Sequence, residues 1–206
     1  MSAIQTRVFD RVRRRRGHVF TPKDFLDLGT RDAADQALSR LVKDGRLQRL
    51  ARGLYYSPRV NARLGIPLPP DTDAIAQAIA RQTGSRVAPS GAVAANRLGL
   101  STQVPAKPVY LTDGSSREVK VGKLVFVVRH VAPKELPLGS PASAQVFQAL
   151  RHLGPAAIDD GVITRLRATL STAQKGELLR DARYTTDWIG DVVRRVADAG
   201  EGPAHG

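Results

Sequence analysis

The 206-residue sequence is strongly basic and lacks cysteine: 32 Lys and Arg against 19 Asp and Glu give a net charge of +13. Without thiols, disulfides, thiolate catalysis and cysteine-based zinc sites are excluded, and no stretch reaches the ~18 consecutive apolar residues of a membrane span. We therefore expect a cytoplasmic protein. The four histidines are scattered along the chain, so no metal site is predicted. Because no catalytic or nucleotide-binding motif occurs, we expect neither enzyme activity nor a cofactor.

The positive charge is concentrated in the first part of the chain. Residues 1–60 hold 14 basic and 6 acidic side chains (+8), residues 61–140 hold 10 and 5 (+5), and residues 141–206 hold 8 and 8. A charge excess of this size favours a polyanionic partner, and we expect nucleic acid rather than membrane.

Three helices are predicted in the first 45 residues. Ile4, Val8 and Val12 recur at helical spacing, so the first helix carries the run Arg13–Arg16 in its last turn and ends near Gly17. Thr21 and Pro22 begin a second, short helix. Thr30 caps a third helix that extends to Gly45. Its apolar residues lie on one face: Ala34, Ala37, Leu38, Leu41 and Val42.

A β-hairpin is predicted after the third helix. Arg46–Leu50 alternates in polarity, Gly53 marks a turn, and Leu54–Ser57 supplies the second strand, in which Tyr55 and Tyr56 are expected to pack. Three helices followed by a hairpin predict a winged helix-turn-helix, whose third helix enters the major groove of double-stranded DNA while the hairpin follows its backbone.

This arrangement assigns candidate DNA contacts. Arg31 and Arg40 can each donate two hydrogen bonds to guanine, and Gln36 can pair with adenine. The predicted reading residues of the third helix are Thr30, Arg31, Asp32, Gln36, Ser39, Arg40 and Lys43. The predicted backbone and hairpin contacts are Arg13, Arg14, Arg15, Arg16, Thr21, Lys23, Arg46, Arg49 and Arg52.

The rest of the chain is predicted to be mixed and then helical. Helices begin near Asp71 and Ser90, strands occupy residues 107–112 and 124–128, and helices follow at residues 144–153, 159–170, 172–180 and 185–199. The fold class is therefore α+β, an N-terminal winged helix-turn-helix followed by a mixed α/β domain with a small sheet and a helical C-terminal region. The predicted segments are the winged domain (1–62), a proline-rich linker (63–71), an α/β middle region (72–140), a helical region packed with it (141–198) and a disordered tail (199–206).

Two other functions fit parts of the sequence. Asp113, Glu118 and Lys120 could form a metal-dependent, restriction-type nuclease site, with two carboxylates on Mg²⁺ and a lysine at the phosphate. Asp113 lies only five residues before Glu118 across a turn, so a polar hairpin is the better account. An RNA-binding module is the other alternative.

Two motifs resemble the AbiEi-type antitoxins, which are regulators of type IV toxin–antitoxin and phage-defence operons. The first is Leu47–Tyr55, LQRLARGLY, and the second is Pro89–Leu100, PSGAVAANRLGL; the resemblance covers roughly residues 5–130. It implies an autoregulatory repressor that binds inverted repeats at its own promoter. It also implies that the C-terminal domain counters a nucleotidyltransferase-like toxin, with or without a stable complex. We expect a monomer or a weak dimer that pairs on DNA.

Overall fold

The computed structural model describes residues 3–121 and 124–198, and its fold is α+β, with eight α-helices and two small sheets in these ranges. The predicted tail, 199–206, lies outside the described residues. The chain divides into two compact units. The first unit runs up to Val87 and includes Thr112–His130, and the second unit comprises Ala88–Leu111 and the chain from Val131 onward. These cuts differ from the predicted domain boundaries, which stay predictions.

The first unit begins with helices and short strands in alternation. In chain order these are α1 (Ala3–Arg14), β1 (Val19–Phe20), a 3-10 helix (Pro22–Phe25), α2 (Arg31–Lys43), β2 (Gln48–Ala51) and β3 (Leu54–Tyr56). The three strands form an antiparallel sheet with the order β1-β3-β2, in which Val19 lies opposite Tyr56 and Arg49 opposite Tyr55. The predicted hairpin is therefore present, with a third strand beside it.

The apolar faces of α1 and α2 form the core of this segment. Val8 and Val12 of α1 pack with Leu38 and Leu41 of α2, and Phe25 of the 3-10 helix joins the same cluster. All five side chains are almost completely buried, which confirms the apolar face predicted for the third helix. Tyr55 and Tyr56 are buried as well, as their predicted packing requires.

Two local features differ from the prediction. The second predicted helix is a single 3-10 turn because only a few residues separate Pro22 from the turn at Leu28, and its hydrogen bonds span three residues, as from Leu28 N to Phe25 O at 3.0 Å. Strand β1 has no counterpart in the prediction. It is two residues long and is defined by its pairing with β3, which lies far away in sequence.

The chain turns back on itself where the proline-rich linker is predicted to begin. Asn61 N donates to Ile66 O at 2.9 Å, and Leu68 N donates to Arg59 O at 2.8 Å. The Tyr56 hydroxyl also donates to Leu68 O at 2.9 Å, so this loop is fastened to β3.

Helix α3 (Thr72–Thr83) follows and belongs to the first unit. Asp71 caps it by accepting a hydrogen bond from Asp73 N at 3.1 Å, and Gly84 ends it in the left-handed conformation, with φ of 75°. Ile75 and Ile79 are buried on the face that packs against β1 and β3.

The second sheet has four strands in the order β4-β5-β7-β6. They are β4 (Val87–Pro89), β5 (Val109–Thr112), β6 (Arg117–Val121) and β7 (Leu124–His130). Strands β6 and β7 form an antiparallel hairpin in the first unit, with Val119 opposite Phe126. The two predicted strands are confirmed as β5 and β7, whereas β4 and β6 were not predicted.

The second unit is mainly helical. Its helices are α4 (Gly91–Arg97), α5 (Pro141–Leu153), α6 (Asp160–Thr169), α7 (Thr172–Asp181) and α8 (Asp187–Ala197). Helix α5 starts three residues before the prediction because Ser140 caps it, accepting from Ser143 N at 3.2 Å. The predicted apolar face of the last helix lies in the core, where Ile189 and Val193 pack against Phe147 and Leu150. None of the described helices is long and apolar enough to cross a membrane.

Candidate nucleic-acid interface

Helix α2 presents a polar surface opposite its buried face. The predicted reading residues within it are all exposed: Arg31, Asp32, Gln36, Ser39, Arg40 and Lys43. Thr30 precedes the helix as its N-cap, and its hydroxyl accepts a hydrogen bond from Ala33 N at 3.3 Å. Packing of α2 onto α1 therefore leaves the predicted contact side free.

Arg31 makes an ion pair along the helix. Its Nε lies 2.9 Å from Asp35 Oδ2, and the two side chains are 51% and 43% exposed. Exposed pairs of this kind contribute only ~0.2–1 kcal/mol, so the Arg31 guanidinium can change partner at little cost. Asp35 thus orients the Arg31 side chain and leaves its guanidinium able to bind another anion.

The first turn of α2 and the β2–β3 hairpin meet at a basic cleft of about 750 Å³, here called the arginine cleft. Its residues come from α2, the hairpin, α3 and the start of β6: Arg31, Asp35, Arg49, Arg52, Gly53, Tyr55, Gln82, Thr83, Ser85, Gly114, Ser115, Ser116 and Arg117. Four arginines and one carboxylate give this lining a net charge of +3. Three predicted contact residues, Arg31, Arg49 and Arg52, are therefore brought together.

Gln82 of α3 holds two walls of the arginine cleft in place. Its Oε1 accepts from Arg117 Nη1 at 3.0 Å, and its Nε2 donates to the carbonyl oxygen of Arg52 at 3.2 Å. Gly53 has φ of 72° at the hairpin turn, a conformation that glycine adopts readily. The turn carrying Arg52 is consequently fixed relative to β6.

Burial also affects the charged and phenolic groups of the arginine cleft. Removal from water lowers the pKa of the half-buried Arg117 guanidinium from its ordinary value, because burial disfavours the charged form. Burial raises the pKa of Tyr55, whose phenol is nearly covered. The cleft therefore gives Arg117 a partly desolvated setting in which an added anion would be attracted strongly.

The four arginines of the run Arg13–Arg16 do not line one common groove. Arg13 and Arg16 line a groove of about 450 Å³ together with Arg46, whose guanidinium lies 4.5 Å from the centre of the Phe9 ring. Arg14 and Arg15 line a different groove of about 380 Å³. None of the four lines the arginine cleft, so the arginines predicted to contact the DNA backbone divide among three places on the first unit.

One predicted contact is wrong. Thr21 is completely buried, and its hydroxyl lies 3.2 Å from Asp24 Oδ2, which also accepts from Thr21 N at 2.8 Å. These bonds stabilise the 3-10 helix and leave Thr21 unable to reach a phosphate. The neighbouring Lys23 is exposed, and its contact with the DNA backbone stays a prediction.

The residues of the nuclease alternative are arranged differently from a metal site. Asp113 accepts hydrogen bonds from Arg86 N at 2.8 Å and Arg86 Nε at 3.0 Å, and this pairing lowers the pKa of the Asp113 carboxyl. Glu118 and Lys120 are exposed on β6. In the part of the chain that the structure describes, no group of three His, Cys, Asp or Glu side chains is placed to hold a metal ion.

Sequence reasoning missed the far wall of the arginine cleft. Gln82, Ser115, Ser116 and Arg117 join it only because α3 and β6 fold beside the hairpin. No spacing along the chain relates Arg117 to Arg52, so local sequence patterns could not predict that both residues line the same cleft.

The fold and the site thus define an α+β protein with a basic cleft in its first unit. A family model matches residues 7–178, and the chain belongs to that family, DUF6088, a family of unknown function. A comparison with curated proteins gives no match.

Proposed function

We propose that this protein is a sequence-specific, non-enzymatic DNA-binding repressor, in which α2 reads the major groove and the β2–β3 hairpin contacts the backbone. The observation that carries the proposal is the meeting of α2 and the hairpin at the arginine cleft. Arg31 lies at the start of α2, where base edges are read, and Arg49 and Arg52 lie on the hairpin.

The order of elements supports a winged helix-turn-helix. Helix α1, strand β1, the 3-10 turn, α2 and the β2–β3 hairpin occur in the order expected for such a domain, and β3 lies between the other two strands. In this assignment the 3-10 turn and α2 are the helix-turn-helix, and the hairpin is the wing.

The exposed side chains of α2 suit base readout. Arg31 and Arg40 supply guanidinium forks for guanine, and Gln36 supplies an amide for adenine. Arg13, Arg16 and Arg46, in their own groove, are proposed to contact phosphates beyond the reading helix.

The resemblance to AbiEi-type antitoxins extends the proposal to biological role. Its most characteristic phrase, Leu47–Tyr55, covers β2, the turn at Gly53 and the beginning of β3, which is the proposed wing. We accordingly propose autoregulation of a toxin–antitoxin operon with a nucleotidyltransferase-like toxin as functional partner. The neutral charge balance after residue 140 makes the C-terminal helices better suited to that partner than to DNA.

The test is binding to duplex DNA from upstream of the protein's own gene, with a scrambled duplex of equal length as reference. Fluorescence anisotropy at several salt concentrations and footprinting should show preference for the upstream duplex. Gln36→Ala should reduce this preference by about 5- to 150-fold, since a bidentate base contact contributes ~1–3 kcal/mol of discrimination. Arg31→Ala is the second test variant. Its control is Arg63→Ala, which makes the same change in charge at an exposed loop residue.

Each rival has its own outcome. An unchanged footprint with both Gln36→Ala and Arg31→Ala would refute the assignment of α2 as reading helix. Tighter binding to a structured RNA than to any duplex would favour the RNA-binding alternative. Cleavage of plasmid with Mg²⁺, abolished by Glu118→Ala, would favour the nuclease.

A further inference from the structure

The arginine cleft has more positive charge than nearby carboxylates balance. Within the described residues, Arg31 pairs with Asp35, whereas no carboxylate lies within ion-pair distance of Arg49, Arg52 or Arg117. Arg117 is half-buried, and its hydrogen-bond partner is the neutral amide of Gln82. A partly buried cation without a counter-charge is costly unless an anion joins it.

Three other arginines of the first unit form ion pairs with carboxylates. Arg11 pairs with Asp27 at 2.6 Å, Arg81 with Asp24 at 3.1 Å and Arg86 with Asp113 at 3.0 Å. Asp27, Asp24 and Asp113 thus neutralise arginines outside the arginine cleft. Arg49, Arg52 and Arg117 of the arginine cleft have no such carboxylate partner among the described residues.

Neutral donors complete the lining. Ser115 and Ser116 are exposed on the turn that precedes β6. Ser116 Oγ accepts from His130 N at 2.8 Å, which fixes the oxygen and leaves the hydroxyl hydrogen free to donate. Guanidinium forks combined with hydroxyl donors are the groups that bind phosphate oxygens.

We propose that the arginine cleft is a binding site for a small polyphosphate-bearing molecule, with Arg49, Arg52 and Arg117 as its cationic contacts. The volume of about 750 Å³ lies within the range of roughly 300–1,000 Å³ that encloses small ligands. A concave site of this size can enclose a compact di- or triphosphate group.

This site also provides regulation, an aspect that rests on the proposed function. Arg31, Arg49 and Arg52 are both lining residues of the arginine cleft and proposed DNA contacts. A polyphosphate held there occupies the same guanidinium groups, so ligand and duplex compete. Binding of the small molecule would then release DNA without any change in the fold.

The first experiment measures inorganic pyrophosphate binding to the full chain, without DNA, by calorimetry at fixed ionic strength. Arg117→Ala and Arg52→Ala should each weaken binding about tenfold or more, because each removes a charge-assisted phosphate contact. Arg63→Ala, which makes the same change in net charge outside the cleft, should weaken it less than about twofold, because salt screens an exposed charge that does not line the site. Arg52 is exposed on a turn, so its variant remains informative if Arg117→Ala folds poorly.

Two results would overturn the proposal: no pyrophosphate binding to the wild-type protein, or equal weakening by Arg63→Ala and the cleft variants. The second experiment adds pyrophosphate to the DNA complex at constant ionic strength and should displace the duplex from wild-type protein but not from Arg117→Ala. Cleft-dependent pyrophosphate binding by a protein with no affinity for DNA would refute the proposed function alone. DNA binding without cleft-dependent pyrophosphate binding would refute this inference alone.

Discussion

Replacement of Arg81 by alanine is expected to destabilise the first unit by about 2 kcal/mol, because hydrogen bonds to charged groups contribute ~1.5–3 kcal/mol. Arg81 lies near the end of α3 and connects this helix to the N-terminal elements. Its Nε is 3.1 Å from Asp24 Oδ1 in the 3-10 helix, and its Nη2 donates to Val19 O in β1 at 2.8 Å.

The size of this effect depends on burial. The side chains of Arg81 and Asp24 are 34% and 20% exposed, so water screens their pairing only in part. A fully exposed pair would contribute ~0.2–1 kcal/mol, whereas loss of the guanidinium here also removes a partner from the Val19 carbonyl. A loss of about 2 kcal/mol corresponds to roughly a 30-fold change in the unfolding equilibrium.

Urea denaturation followed by far-UV circular dichroism measures the effect. The midpoint should fall while the slope of free energy against urea stays unchanged, and Arg63→Ala should remain within about 0.5 kcal/mol of wild type, as surface substitutions usually do. If Arg81→Ala also stayed within that range, α3 would not be energetically joined to the N-terminal elements, and the reasoning from these contacts would be refuted.

Three further predictions concern the same unit. Burial and the charge of Arg81 lower the pKa of His18, so below its ordinary value of 6.5 the unfolded chain binds a proton that the folded protein does not. The free energy of unfolding should therefore fall as pH decreases from 7 to 5, and urea titrations of His18→Gln should show a smaller fall. Leu38→Ala should cost about 3 kcal/mol in the same assay because Leu38 is completely buried, whereas Ser39→Ala, on the exposed side, should cost less than about 0.5 kcal/mol. Thr30→Ala should cost about 1 kcal/mol by removing the cap of α2, and equal stability of variant and wild type would contradict that role.

Features set by local sequence were predictable. The spacing of Val8 and Val12 located α1, and Thr30 and Gly45 bounded α2 closely, because helix faces and caps depend on residues a few positions apart. The helices after residue 140 were located to within about three residues for the same reason.

Features that depend on partners distant in sequence were not predictable. Strand β1 is only two residues long and gains its hydrogen bonds from Tyr55 and Tyr56. Strand β6 has an exposed, charged face that includes Glu118 and Lys120. Because of this polarity, residues 113–120 were assigned to a polar hairpin that connects two apolar strands, and β6 was not predicted as a strand of the sheet. The arginine cleft depends on both kinds of information: Arg49 and Arg52 could be selected from the hairpin sequence, whereas Arg117 required the tertiary fold.

The arginine run shows why charge density along the chain is a weak guide to a site. Successive residues of a helix are rotated by about 100°, so neighbouring arginines cannot all face one ligand. Arg13 and Arg16 accordingly share one groove, and Arg14 and Arg15 share another. Asp10 lies in the second groove and is 3.9 Å from Arg13, so acidic side chains accompany the run. The less conspicuous Arg117, separated from the hairpin by more than sixty residues, lies half-buried in the arginine cleft and has no carboxylate partner among the described residues. Affinity for phosphate should therefore depend more steeply on Arg117 than on any one residue of the run.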